Sequence, residues 1–538
     1  MKKSSPIWLT IAIAVIAFVA GLLIDRHCLS GDASRGNERK VNALLDLIAK
    51  EYVDTVNMDH LIEKSISEIL SNLDPHTSYF DALSPRAITE DLDGAIPDIG
   101  IAFINFNDTI YVESTMPGGP AEVAGIMPGD RIVKIDGKPI NSKNTTGEIM
   151  KQMSGPKGSK LTLGVQRQDN AKTLEFIITR NHIIENSIDS CYMLDKTTGY
   201  VKVKQFGRNT YEEFVNALTQ LEQQGAKRYM IDLRGNGGGF MEIAVLMANE
   251  FLPPGQPIVS THGRLKKYDQ PFKSDGKGAF QNAEVAVLID EFSASASEIF
   301  AGALQDNDRA LIVGRRSFGK GLVQKDFALP DSSIIRLAVA RYYTPSGRCI
   351  QKDYKHSGPN SYNDEVLQRY KHGEPFNADS IPIDKSQAFT TLHGRTVYGG
   401  GGIIPDIFVP YDLSGINNYY VEVENVGLLQ RFAFTYCEKN RASLNQMTDY
   451  KQFLRTTPID NAIIKEFADF ASANGVEPRW YYINQSRDVI LTRLKALIAR
   501  DIFGPQAYYS ILNRNDQTVQ TALKALNRHK AAFPITDN

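Results

Sequence analysis

The sequence predicts a multidomain α/β chain with helical regions at both ends. Three observations lead there. At 538 residues the chain exceeds the ~250–300 residues at which single cores stop growing. Strand patterns alternate with helix patterns from about 185 to 415, and a separate run of short strands and turns fills 96–180. A hydrophobic content of 42% with 23% charged residues is that of ordinary globular domains and excludes a mostly disordered or polytopic membrane chain. Sixty Lys and Arg against 62 Asp and Glu leave a net charge of −2, and no basic stripe carries interleaved aromatics, so nucleic acid is not an expected partner. Cys28, Cys191, Cys349 and Cys437 include no CxxC pair, and the nine histidines include no HExxH, so no metal site is expected.

From the N-terminus, Lys2 and Lys3 precede an apolar run from Ile7 to Ile24, whose 18 residues would span ~27 Å as a helix. The positive charges before it predict a signal anchor that sends the rest of the chain outward, to the periplasm or exterior. Residues 28–37 read as a polar stalk. Apolar residues at helical spacing from Lys40 to Asn72 predict two or three helices that end near Asp74-Pro75, because Pro75 disfavours the α region at the residue before it. Farther on, Tyr200–Val203, Tyr229–Leu233, Val285–Ile289, Leu311–Val313 and Ile334–Tyr343 read as strands. Tyr211–Gln224, Phe240–Phe251 and Ser297–Leu304 read as helices. Beyond about 415 helices return, one of them capped by Asp460.

The segment Gly314-Arg-Arg-Ser-Phe-Gly-Lys320-Gly321 admits three chemistries. It fits GxxxxGK, but a phosphate loop needs Ser or Thr where Gly321 stands. Ser317 and Lys320 fit SxxK, but that pair meets on a helix, and Gly319 and Gly321 oppose one. The third reading joins Lys320 to a serine upstream, in Ser293-Ala-Ser-Ala-Ser297, where the strand Val285–Ile289 runs into a helix. A serine at such a junction lies beside unpaired backbone N–H groups that can stabilise an oxyanion. A lysine serves as its base if burial keeps the amine neutral. The glycine run in Arg234-Gly-Asn-Gly-Gly-Gly239, again after a strand, allows close backbone approach to a ligand and a second oxyanion donor.

Taken in order, DLRGNGGG (232–239), SASASEIFAGALQD (293–306), VGRRSFGKGLVQ (313–324) and RYYTPSGRCIQ (341–351), with LDPHTSY (73–79) before them, resemble the carboxyl-terminal processing peptidases, or tail-specific proteases. That resemblance implies a serine–lysine endopeptidase on a crotonase-like α/β core with an inserted PDZ domain, and no metal or cofactor. It assigns Ser295 as nucleophile, Lys320 as general base and Gln324 as the group that orients the lysine. It assigns the oxyanion hole to the amides of Ala296 and of a glycine among 237–239, with Gly237 and Gly238 as candidates. Asp98-Ile99-Gly100-Ile101 fits a PDZ carboxylate-binding loop, where a peptide adds as a strand, and Ile149 and Met153, at i and i+4, are candidates to line its groove. The implied organisation is an anchor and stalk (1–37), a helical region (38–90), a PDZ domain (91–182), a protease core (183–414) and a C-terminal helical domain (415–538). Cys349 and the long polar stretch 352–392 depart from the family pattern, and Gly399–Gly402 reads as a flexible flap. The expected partners are proteins with accessible C-termini, with a homo-oligomer or an adaptor protein as further possibilities. A catalytically silent PDZ adaptor is the competing function, opposed by intact Ser295, Lys320 and Gln324.

Overall fold

The computed structural model describes residues 32–81, 95–106, 109–116, 118–140, 144–167, 172–184, 186–354, 359–457 and 459–528. The apolar run 7–24 and Cys28, and with them the expected anchor, lie outside the described residues. Among the described residues no helix is long and apolar enough to cross a membrane. The chain divides into two compact units, Met1–Leu73 and Asp74–Asn538.

In the first unit, α1 (Asp32–Glu51) begins inside the stretch expected to be a stalk. That is a correction with a simple cause: no proline interrupts these residues, and polar side chains are solvated around a helix as well as along an extended segment. α2 (Met58–Ser71) is capped by Asn57, whose side chain accepts the His60 N–H at 3.1 Å.

The second unit opens with the short strand β1 (Ser78–Phe80). A small antiparallel sheet follows, in the order β2 (Ile101–Phe106), β3 (Thr109–Thr115), β4 (Arg131–Ile135), β5 (Lys160–Gln166) and β6 (Leu174–Thr179). The helices α3 (Pro120–Ala124) and α4 (Thr146–Met153) accompany it. Alternation along the strands sends Ile110, Val112, Ile132, Leu161, Leu163 and Val165 into one core. β2 is an edge strand of this sheet.

The larger domain is built on a six-stranded sheet in the order β7 (Ile188–Met193), β8 (Thr198–Val203), β9 (Arg228–Asp232), β12 (Glu284–Ile289), β13 (Leu311–Gly314) and β16 (Ile407–Phe408). Only the β7–β8 pair is antiparallel. β8 and β13 are buried at every position, as strands of a sheet covered on both faces are. The connecting helices are α5 (Thr210–Gln223), α6 (Met241–Asn249) and α7 (Ala296–Asp306). Together with the sheet they bury Phe214, Leu218, Leu221, Met247, Phe251 and Phe300 in the main core. A second, antiparallel sheet joins β1, β15 (Ile334–Tyr343), β10 (Pro257–Gly263) and β11 (Gln270–Lys273), with β14 (Leu322–Ala328) also paired to β15. α8 (Pro359–Lys371) lies in the long polar stretch.

Among the described residues eight helices follow, from α9 (Asn418–Asn425), α10 (Leu428–Leu444), α11 (Tyr450–Thr456) and α12 (Asn461–Ala473) to α13 (Trp480–Gln485), α14 (Arg487–Phe503), α15 (Pro505–Leu512) and α16 (Gln517–Arg528). Most bury their apolar stripes in a core of their own around Phe432, Phe467 and Leu494. α16 instead lays Val519, Ala522 and Leu526 on the face of the parallel sheet that presents Tyr200, Met230, Ala286, Leu288 and Val313. The C-terminal segment therefore supplies a layer of the core α/β fold.

Candidate active site

The parallel sheet sets the site by topology. β9, β12 and β13 are neighbours running the same way, so the loops that leave their carboxyl ends, 233–240, 290–295 and 315–321, meet at one edge. Ser295 sits where the second loop enters α7, with φ +56° and ψ −115°, a conformation that L-residues rarely adopt. Its neighbours in the SASAS run are committed elsewhere. Ser293 is fully buried and donates to the Leu233 carbonyl at 2.9 Å while accepting the Asp290 N–H at 3.0 Å. Ser297, also fully buried, donates to the Asn236 carbonyl at 2.9 Å. The Ser295 hydroxyl donates no hydrogen bond among the described residues and is partly exposed.

Glycine makes the close approach possible. A Cβ on Gly238, which has φ +106°, would lie 2.8 Å from the Ser295 Cβ and 3.0 Å from the Ala296 nitrogen. The Gly238 N–H itself donates to Asn236 Oδ1 at 2.8 Å, so it is not free to bind an oxyanion. Among the described residues the N–H groups of Gly237 and Ala296 carry no partner, and Ala296 is the first residue of α7, where N–H groups are left over by helix geometry. Of the two candidate glycines, Gly237 thus keeps an available donor and Gly238 provides clearance.

The residue that organises the lysine loop is one the sequence reading missed. Glu298 is fully buried, and its carboxylate accepts four donors: the Ser317 hydroxyl at 2.5 Å and the N–H groups of Gly319 at 2.7 Å, Lys320 at 2.8 Å and Ser295 at 2.9 Å. Burial pushes its pKa up, against the pull of those donors. One side chain thereby ties the Ser295 backbone to the loop that carries Lys320. The signal was in the sequence as Ser295-x-x-Glu298, the spacing of a helix-capping glutamate. The same bonds dispose of the two competing readings of this loop. Ser317 is fully buried and also accepts the Ile403 N–H at 2.6 Å, while Gly321 N–H donates to Gln351 Oε1 at 2.7 Å, so neither a serine nucleophile nor a row of free amides for phosphate exists there.

Lys320 is largely buried, and its pKa is lowered by desolvation and then by the charge of Arg336, with Glu298 and Asp74 pulling the other way. The Tyr342 hydroxyl, 2.6 Å from the Lys320 carbonyl and 3.2 Å from that of Ser295, spans both loops. Gln324, on β14, donates its amide to the His76 carbonyl at 2.6 Å, and among the described residues it makes no hydrogen bond to Lys320. α8 and the turn after it clamp the loop from outside: Arg369 of α8 donates to the carbonyls of Arg316, Ser317 and Phe318, and Arg316 pairs with Glu374, just past the helix, at 2.7 Å. A cavity of about 1150 Å³ lies nearby, lined by Arg341, Cys349, Lys352 and the ribbon Gly399–Gly402, and includes neither Ser295 nor Lys320. That ribbon is stitched down rather than a loose flap, as Gly400 and Gly402 donate to the Cys349 and Ile350 carbonyls at 2.7 and 2.8 Å. The side chains of His262 and His393 are more than half exposed, beside Asp269 and Asp308.

In the small domain, Ile99 is buried and its carbonyl accepts the Ala121 N–H, while Gly100 turns the chain at φ +77° into Ile101 and the edge strand β2. Ile149 and Met153 are corrected: at 0% and 2% exposure they belong to the domain core, because the i, i+4 stripe of α4 is its inward face. The domain touches α10 through a Tyr111–Phe434 ring contact, with centroids 5.5 Å apart.

Comparison with known proteins agrees with this arrangement. Residues 197–356 match peptidase family S41, and residues 97–178 match the PDZ domain. The carboxy-terminal-processing protease of Bartonella bacilliformis is 35% identical over 350 residues, covering 63% of this chain and 80% of that one. The chain belongs to peptidase family S41. A probable CtpA-like serine protease of Staphylococcus aureus is 31% identical over 344 residues, covering 63% of this S41 peptidase and 68% of the relative. The solved photosystem II D1 C-terminal processing protease covers 69% of the S41 peptidase and 86% of its own chain, at 24% identity and a TM-score of 0.36. Residues 419–504 match a family of unknown function, DUF8443. The protein is a serine-type peptidase with a PDZ domain.

Proposed function

We propose that this peptidase cuts proteins whose C-terminal tails its PDZ domain captures, with Ser295 as nucleophile and Lys320 as neutral general base on a crotonase-like core. The observation that carries this reading is the separation of roles in SASAS: the Ser293 and Ser297 hydroxyls are buried and donate to loop carbonyls, while Ser295 alone keeps its hydroxyl proton undonated among the described residues, at the helix start. The Ser295 oxygen attacks the scissile carbonyl and Lys320 takes its proton. The Ala296 amide and that of Gly237 receive the oxyanion, and the protonated lysine then hands its proton to the leaving amine. Water repeats the sequence to release the acyl group. Gln324 contributes by holding the lysine's surroundings without adding charge. A tail adds as a strand along β2, with its carboxylate at Ile99–Ile101.

The test is cleavage of a protein bearing an apolar C-terminus. Ser295→Ala should lose turnover while still binding the tail, and substantial turnover by that variant would reject the assignment. A silent adaptor would bind and never cut. The apolar run 7–24 supports a membrane-anchored enzyme facing the periplasm or exterior. Such an enzyme stays with membranes through salt and carbonate washes, whereas a soluble mature chain beginning after residue 24 would argue for cleavage.

A further inference from the structure

One element around Lys320 has no part in the chemistry described so far. The turn that opens the second unit is rigid: Asp74 accepts the His76 N–H at 2.9 Å, the Thr77 N–H at 2.8 Å and the Thr77 hydroxyl at 2.5 Å. Thr77 in turn accepts the Ala338 N–H of β15 at 3.2 Å, and β1 pairs with the same strand. From this turn His76 makes two connections. Its carbonyl oxygen receives the Gln324 amide at 2.6 Å. Its Nε2 lies 2.9 Å from the hydroxyl of the fully buried Tyr362 on α8, with the two rings edge to face at 5.2 Å. Tyr362 leads back to the lysine loop by two routes. Its ring meets Phe318 at 5.9 Å, and its hydroxyl accepts from Gln351 at 3.3 Å, while Gln351 Oε1 holds the Gly321 N–H at 2.7 Å.

We propose that His76 is a positioning residue for Lys320: its carbonyl fixes Gln324 downstream, and its imidazole, through Tyr362, braces the Phe318 ring before the lysine and, through Gln351, the Gly321 backbone after it. The inference rests on the reading of Lys320 as the base. Its chemistry is suited to that task. Burial first, then the charges of Lys320 and Lys352, push the His76 imidazole down to about 4, against a smaller upward pull from Asp74. A neutral ring can fill space and hold a hydroxyl beside an amine that must itself give up its proton, whereas a carboxylate in that position would raise the lysine's pKa. Arg336 of β15 lowers the pKa of Lys320, Glu298 of α7 and Asp74 of the turn raise it, and His76 contributes no charge near neutral pH. The long polar stretch containing α8 gains a purpose as the support for Tyr362.

The experiment compares His76→Ala, Tyr362→Phe and the parent chain on a fluorogenic peptide with an apolar carboxyl terminus, reading kcat, KM and the pH midpoint of kcat/KM. Thermal unfolding is recorded beside each. His76→Ala should lower kcat about tenfold to a hundredfold, the loss expected for a misplaced reacting group, with little change in KM. Its pH midpoint should move upward, because water admitted to the space stabilises the ammonium of Lys320. Tyr362→Phe, which deletes one oxygen atom, should move both quantities the same way by less, and it keeps the test decisive if the alanine variant does not fold. The double variant should fall short of the product of the two losses. Unchanged kcat, or a kcat loss with an unmoved pH midpoint, would overturn the positioning role. Loss of activity in His76→Ala as complete as in Ser295→Ala, with Lys320→Ala still active, would instead make His76 the base and overturn the lysine reading itself.

Discussion

At Ser295 the backbone stores strain that only the loop contacts around it can hold, since φ +56° with ψ −115° suits glycine and no other residue. Two inactive variants should therefore differ in stability. Ser295→Gly should unfold at a higher denaturant midpoint than Ser295→Ala, by about 1–3 kcal/mol. Equal midpoints would mean that the junction relaxes. Lys320 carries a related cost. Its folded-state pKa is lower than its unfolded one, so the folded chain binds fewer protons between the two values and stability rises with pH across that window. Below the window a buried ammonium burdens the fold. Lys320→Met should accordingly raise the unfolding midpoint near neutral pH, with the gain fading as pH approaches ~10.4. Activity of the parent should climb with pH along a single ionisation that lies below free lysine, and Lys320→Arg should be inactive because guanidinium keeps its proton. A pH profile that is flat from 6 to 10, measured as kcat/KM, would contradict a lysine base.

At the level of elements, the three loops at the ends of β9, β12 and β13 are sutured by side chains that look expendable in sequence. Ser293 and Ser297 each satisfy a buried carbonyl of the 233–236 loop. Replacing either by alanine removes one of that carbonyl's two hydrogen bonds, the other coming from the Asn236 or Ala294 N–H, which costs about 0.5–1.5 kcal/mol, so both variants should fold less stably yet retain catalysis. Denaturant unfolding alongside turnover separates them cleanly from Ser295→Ala, and complete inactivation of a well-folded Ser297→Ala would contradict the division of roles. Elements with strong local signals were legible: Ile334–Tyr343 forms the strand read from its apolar residues, and Asp460 caps its helix by accepting the Ala462 N–H at 2.9 Å. β11 and β14 were not, because edge positions in an antiparallel sheet tolerate mixed composition and leave little periodicity to read.

For the whole molecule, α16 closes the parallel sheet. Arg234, in the glycine-rich loop, pairs with both Asp232 and Asp516 at 2.7 Å, so this closure reaches the active-site loops as well. Burial alone would raise the Asp232 pKa, but Arg234 and Lys202 hold it well below the usual carboxylate range. Removing residues 514–538 should expose the sheet face that Val519, Ala522 and Leu526 cover. Each large apolar side chain so lost forfeits about 1.5–3 kcal/mol, enough in sum to threaten a domain of ordinary stability. The truncated chain should be insoluble or bind a hydrophobic dye, and a fully active, soluble product would show that this layer is dispensable.

By itself the sequence determined the alternation of strands and helices and the placing of Ser295, Lys320 and the glycine run each a few residues past a strand, because each depends on residue type and short spacing along one segment. It also carried Glu298 at the N3 position of its helix, though only as a capping pattern. What Glu298 binds was decided by tertiary structure, since Ser317, Gly319 and Lys320 come to it from a different loop. The same holds for His76 against Gln324, 248 residues apart, and for α16 against the sheet. Ile149 and Met153 show the limit most directly. An apolar i, i+4 pair specifies that one helix face is covered, and only the packed fold decides whether the cover is a ligand or the domain's own core.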